Sequence, residues 1–131
     1  MIVDTSALVA IIADEPEAER LLRALASADS VQMSAATHVE CGIVIDNRSS
    51  AATRRRFDDL LTTLDVEVAA LTPQQARLAR EAHRDFGRGS GSPARLNLGD
   101  CFSYALAADL GDELLFIGDA FAATDIGRAA Y

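Results

Sequence analysis

The chain has no lysine and no tryptophan, and only two cysteines and three prolines in 131 residues. Each shortage excludes something. Cys41 and Cys101 lie far apart, each inside a helical stretch, and neither belongs to a Cys-x-x-Cys pair or a zinc-ligand cluster. They read as reduced, buried thiols. With no disulfide framework the core must come from apolar side chains, and at 50% hydrophobic the composition supplies them. No apolar run approaches the about 20 residues that a spanning helix needs. The first residues lack the basic charges of a signal peptide, and Asp4 interrupts their apolar run, so the expected location is the cytosol. The length predicts a single domain over residues 1–131.

The charge is one-sided. Twelve arginines face twenty acids, a formal net charge of −8. Taken alone, that opposes a phosphate-rich partner, because nucleic-acid binding is driven by cations. The arginines are clustered, however. Arg54-Arg55-Arg56 form one run, read as a solvated helix surface, and Arg84, Arg88 and Arg95 surround the glycine-rich stretch GRGSGSPAR at 87–95. The glycines there are not a nucleotide fingerprint, since they follow a helix and not a strand. Acids gathered around divalent metal would also count for less than their formal charge.

Hydrophobic patterning predicts alternating elements. Met1–Val3, Ser30–Ser34, Val66–Leu71 and Leu114–Gly118 read as strands, being short and mostly apolar. Helices are predicted after Asp4 with a break at Glu15-Pro16, through Leu21, Leu22 and Leu25, over Ala35–Asn47, over Ala51–Leu64, from Thr72-Pro73 to Phe86, and over Leu98–Leu110. Thr72 with Pro73 is a strong helix start, a capping hydroxyl followed by a residue that needs no N–H bond. Short apolar strands alternating with helices imply an α/β protein whose parallel sheet is covered on both faces. Ligands of such sheets bind at the carboxyl ends of the strands, near a switch in strand order.

Four acids then stand in awkward places. Asp4 ends the first strand and Asp119 ends the apolar run LLFIG. Glu40 shares a helix stripe with Ala36, Thr37, Ile43 and Val44, a face expected to pack on the sheet. Asp100 lies in a first helical turn, followed at helical spacing by Ser103, Tyr104, Ala107 and Ala108. Singly, each has an ordinary explanation: a helix cap for Asp4, a turn for Asp119, a helix-dipole partner for Asp100, a side chain reaching solvent for Glu40. Together they ask for a cation, because crowded carboxylates either raise their pKa values or recruit a positive charge. Mg²⁺ or Mn²⁺ suits an all-oxygen donor set. The hydroxyls of Thr5 and Ser6 stand ready to bond a carboxylate or a bound water.

The segments MIVDTSALVAII, ATHVECGIVI, RLNLGDCFSYALA and LLFIGDAFAATDI, in this order and over the whole length, resemble the PIN-domain ribonucleases. Within them the chain is similar to the VapC-type toxins of bacterial type II toxin–antitoxin pairs. The resemblance implies a three-layer α/β/α sandwich with a short, mainly parallel sheet. It implies an Mg²⁺-dependent endoribonuclease, with Mn²⁺ as an alternative, that leaves 5′-phosphate and 3′-hydroxyl ends. Carried over by position, Asp4, Glu40, Asp100 and Asp119 match the acidic quartet as catalytic and metal-binding residues. Thr5, Ser6, Thr124 and Asp125 match supporting positions. Arg84, Arg88 and Arg95 are then candidate contacts to RNA phosphates. A cognate antitoxin is the implied partner, together with RNA; exposed apolar helices would also suit a homodimer, the commonest assembly, and with the antitoxin a heterotetramer or larger assembly.

Neither histidine is needed as a base. His38 precedes Glu40 by two residues and so points off Glu40's helix face, and His83 lies on another helix. Two other acid-pocket α/β proteins fit less well. A phosphoryl-accepting receiver domain needs a lysine, and a haloacid-dehalogenase-type phosphatase needs an acid two residues after its first aspartate, where this chain has Ser6. A non-catalytic PIN-like binding module is the remaining alternative.

Overall fold

The computed structural model describes residues 1–48 and 50–131. Four strands, β1 (Ile2–Val3), β2 (Val31–Ser34), β3 (Val66–Ala69) and β4 (Leu114–Leu115), form one sheet in the order β3-β2-β1-β4. Every pairing is parallel. The helices are α1 (Thr5–Ile12), α2 (Ala18–Ser27), α3 (Ala35–Arg48), α4 (Ala51–Thr63), α5 (Pro73–Phe86) and α6 (Leu98–Leu110), followed by a short 3₁₀ turn at Phe121–Ala123. No helix among the described residues is long and apolar enough to cross a membrane.

Local chemistry sets the helix boundaries. The Thr72 hydroxyl accepts from the Gln75 amide while the Gln75 side chain accepts from the Thr72 amide, with Pro73 in the first turn. Asn97 and Asp100 make the same reciprocal cap at α6. Gly111, at φ +63°, ends α6 in the left-handed conformation that glycine adopts at little cost. The expected break falls where Pro16 placed it, between Ile12 and Ala18.

Two apolar layers cover the sheet. Side chains alternate across a strand, so Val3 and Leu115 join one core with α1 to α4. Ile2 and Leu114 join a second core with α5 and α6. The register Ile2↔Leu114 and Val3↔Leu115 makes that alternation common to both strands. This is the three-layer α/β/α architecture.

All four strand predictions are shortened, β2 only by Ser30, since it begins at Val31. β4 stops at Leu115, not Gly118. Its partner β1 turns into α1 at Thr5, so beyond the bond from Asp4 N to Leu115 O (3.0 Å) no ladder remains. The next inward amide, Ile117 N, donates instead to Ser6 Oγ (3.1 Å). β3 ends at Ala69, short of Leu71, with Thr72 already committed to capping α5. The first strand is Ile2–Val3, without Met1. Beyond β4 lies a single parallel bridge, Leu114↔Arg128.

Candidate active site

The strand order places the switch between β1 and β4. From β1 the chain moves outward to β2 and β3, then returns to the other side of β1 as β4. Asp4 is the first residue past β1 at this crevice, and only 2% of it is exposed. Its extended backbone (φ −91°, ψ 157°) makes it the N-cap of α1. Oδ2 accepts from Ser6 N (2.9 Å) and Ser6 Oγ (2.6 Å), and Oδ1 accepts from Ser103 Oγ (2.6 Å). The helix cap and the candidate ligand are therefore one carboxylate.

Glu40 approaches from α3, half-buried, and its Oε2 accepts from Thr5 Oγ1 (3.0 Å). Its carboxylate lies on the backbone of Gly99, where a Cβ would stand 2.1–2.2 Å from the carboxylate atoms. Burial raises its pKa; the Thr5 bond opposes that and the Asp4 charge adds to it. Asp100 enters from the first turn of α6. Its Oδ2 accepts from Asn97 N (2.7 Å), while Asn97 Oδ1 accepts from Asp100 N (2.9 Å). Burial pushes its pKa up to about 6. The Asn97 amide resists, Asp4 and Glu40 push further, and Arg88 pulls back.

The remaining candidates are placed differently. Asp119 is exposed, in the turn after Gly118, and its carbonyl accepts from Ala122 N (3.1 Å). The acids that raise Asp100 are Asp4 and Glu40, not Asp119. Thr124 bonds within its own turn, to Phe121 O (2.8 Å). Asp125 accepts from the Tyr104 hydroxyl (2.7 Å), one helical turn beyond Asp100 on α6. Arg84 pairs with Asp85 on the surface, a contact worth little. Arg88 is exposed yet acts on Asp100, and Arg95 is exposed at φ +51°. His38 stacks on Phe57, and His83 is exposed. Cys41 and Cys101 are free and buried, with thiols pushed up by burial to about 12 and about 11, so neither is a nucleophile at neutral pH.

One expectation about Glu40 is overturned. Of its stripe only Thr37 is fully buried; Ala36 and Val44 are part-buried and Ile43 is exposed. α3 turns Thr37, Cys41 and Ile45 inward, leaving Val39 and Ile43 exposed at 58% and 55%. With Ala36, Val44, and Leu98 and Phe102 of α6, these line an apolar groove of about 610 Å³ that also touches Glu40. An isolated helix cannot tell which of two apolar stripes meets the core when both are available. Sequence reasoning also missed Thr37, Ser103 and Asn97. The available signal was a serine one turn after Asp100 on a face otherwise filled by apolar residues.

Among the described residues no three acid, histidine or cysteine side chains stand together as a ready metal cluster. The donor chemistry nevertheless fits a hard divalent ion. Three carboxylates repel one another here, and none is in an ion pair among the described residues. The raised values have a testable sign. Between the ordinary aspartate value of 3.8 and about 6, folded Asp100 binds more protons than the unfolded chain, so stability falls as pH rises through that window. Glu40, raised from 4.5, acts in the same direction. In EDTA the melting temperature should rise as pH is lowered from 7.5 to 5.5, and Asp100→Asn should lose most of that rise. An equal rise in the variant would show that other groups cause it.

Comparison with known proteins gives concordant findings. The PIN domain family model matches residues 1–127. Ribonuclease VapC28 of Mycobacterium tuberculosis is 50% identical over 129 residues, covering 98% of this chain and 97% of that protein. Among solved structures, M. tuberculosis VapC20, described as a sarcin-ricin loop cleaving toxin, superposes with a TM-score of 0.79 at 19% identity, covering 99% and 98% of the two chains. A toxin–antitoxin complex from Klebsiella pneumoniae gives 0.71 at 18% identity, covering 95% and 92%. At these identities the two structures speak to the fold alone.

Proposed function

Because this chain belongs to the PIN-domain family, and within it to the VapC ribonucleases, we propose that it is a single-domain, cytosolic endoribonuclease toxin. It hydrolyses RNA phosphodiester bonds at the crevice beside Asp4 and is held in check by a cognate antitoxin. The observation that carries the reading is the gathering of Asp4, Glu40 and Asp100 at the switch point, with mutual repulsion and, among the described residues, no ion pair to balance it.

Asp4, Glu40 and Asp100 would hold Mg²⁺ or Mn²⁺, with Asp119 as the fourth acid at the exposed rim. When bound, such an ion supplies a Lewis acid for the scissile phosphate and lowers the pKa of water. The chain's own groups do the rest. Ser6 and Ser103 fix both oxygens of Asp4, so its orientation is set before substrate arrives. Thr5 holds one oxygen of Glu40, leaving the other to orient the attacking water. Arg88, whose charge acts on Asp100, would meet RNA phosphate, with Arg84 and Arg95 as further contacts. Asp125 ties the segment after β4 to α6 through Tyr104, and Thr124 closes the turn within that segment on Phe121 O.

The test is cleavage of a mixed small-RNA pool by purified protein, with Mg²⁺ and with EDTA, followed by end analysis. Metal-dependent cutting that leaves 5′-phosphates is expected. A folded protein that cuts nothing in the pool would leave a strict-substrate toxin and a binding module both standing, and a divalent-metal titration would then choose between them. The apolar groove on α3 and α6 fits a homodimer contact beside the site, and an arginine-bearing antitoxin segment suits the acids themselves. Ile43→Arg is expected to shift the protein from dimer to monomer in light scattering at micromolar concentration. Wild-type protein that is monomeric there would remove the dimer from the proposal.

A further inference from the structure

Two fully buried hydroxyls stand behind the acids: Ser103, which bonds Asp4, and Thr37, which touches no acid and has no part in the chemistry above. Thr37 and Ser103 are each 0% exposed, on helix faces shared with Cys41 and Ile45 in α3 and with Leu106 and Ala107 in α6. A buried hydroxyl is costly unless its bonds are made, and valine or alanine would fill these positions without that cost. The bonds are made, and in a fixed order. Ser103 has one proton and gives it to Asp4 Oδ1 at 2.6 Å. In the 3.2 Å contact between Thr37 Oγ1 and Ser103 Oγ, the serine oxygen is therefore the acceptor and Thr37 the donor. The order runs Thr37 to Ser103 to Asp4.

The same pair sets a second geometry. Thr37 precedes Glu40 by three residues on α3, and Ser103 follows Asp100 by three on α6. Residues three apart are neighbours on a helix surface. A bond between the two hydroxyls thus fixes the level at which α3 meets α6, and with it the relative placement of Glu40 and Asp100. The two helices approach so closely beside this point that the Glu40 carboxylate lies where a Cβ on Gly99 would be.

We propose that Thr37 and Ser103 form a positioning clamp that orders the divalent-ion site. It aims Asp4 by direct hydrogen bonding, and sets Glu40 and Asp100 by helix register. This rests on the metal-dependent ribonuclease reading. Hydrogen-bond partners of ligating carboxylates typically account for about 10–100-fold in metal affinity.

The test is calorimetric titration of Mn²⁺ into full-length wild type, Asp4→Asn, Ser103→Ala, Thr37→Val, Thr37→Ser and the Ser103→Ala/Thr37→Val double variant, with a thermal melt of each. Ser103→Ala and Thr37→Val should bind Mn²⁺ about tenfold or more weakly. Thr37→Ser, which keeps the donor, should stay near wild type. The double variant should be no weaker than the weaker single, because both substitutions break one series of bonds. Lower melting temperature with unchanged affinity would assign the hydroxyls to packing and overturn the clamp. Should Ser103→Ala fail to fold, Thr37→Val decides, since valine keeps threonine's shape. Wild type that binds no Mn²⁺, or Asp4→Asn that binds it equally well, would overturn the metal-dependent reading itself. That outcome differs from one in which Asp4→Asn loses binding and the hydroxyl variants do not.

Discussion

Asp100→Asn should be inactive and, in EDTA at pH 7.5, more stable than wild type. Activity falls because a negative donor is lost where cation and phosphate charge must be balanced; losses on the order of 10²–10³-fold are typical when one such electrostatic group is removed. Stability moves the other way. Asp100 is crowded by Asp4 and Glu40 and titrates at about 6, so at pH 7.5 the native state carries a carboxylate that its surroundings disfavour. Asparagine removes that charge while its carbonyl still accepts from Asn97 N, so the cap of α6 survives. Function and stability conflict at this position, a common condition of active sites. Asp4→Asn should be equally inactive without the same gain, because asparagine caps α1 well but presents an NH₂ group to a site built of donors. Thermal melts in EDTA beside RNA-cleavage rates would check both. An Asp100→Asn protein that melts well below wild type would show that the carboxylate supports the fold.

Gly99→Ala should separate fold from activity more sharply still. In a helix the exchange of glycine for alanine ordinarily stabilises by about 0.5–1 kcal/mol. Here the added methyl would stand 2.1–2.2 Å from the Glu40 carboxylate, which must leave. The end of a glutamate side chain can move by rotation, so the cost falls on the site and not on the backbone. The displaced group loses its bond from Thr5. Cleavage should drop by about 10–100-fold, the range typical of a misplaced group near a metal, with the melting temperature held or raised. In a Glu40→Ala background, Gly99→Ala should have almost no further effect on rate, since the methyl then displaces nothing. A full additional loss in that background would mean that Gly99 acts on something other than Glu40.

Much of this was legible in the one-dimensional pattern. Helix starts at Pro73 and Leu98, the break at Pro16, and the alternation of strands with helices follow from capping, φ restriction and apolar period, all local effects. The end of β4 was not legible. Leu114 to Gly118 read as one apolar strand, but how far they pair depends on how soon β1 gives way to α1. The orientation of Glu40 was misread for the same kind of reason: α3 carries two apolar stripes, and only packing against the sheet and α6 chooses Thr37, Cys41 and Ile45 as the inner one.

By itself, then, the sequence determined which residues carry charge, where most of the helices begin, and that Asp4 and Asp100 sit at element ends, because these depend on neighbours a few residues away. Only the tertiary structure decided that Asp4, Glu40 and Asp100 share one crevice while Asp119 lies exposed on a turn. It also decided that the Ser103 hydroxyl, 99 residues from Asp4, completes that carboxylate. Such contacts arise from parallel strand order and helix crossing, and the spacing of residues along a chain carries no record of either.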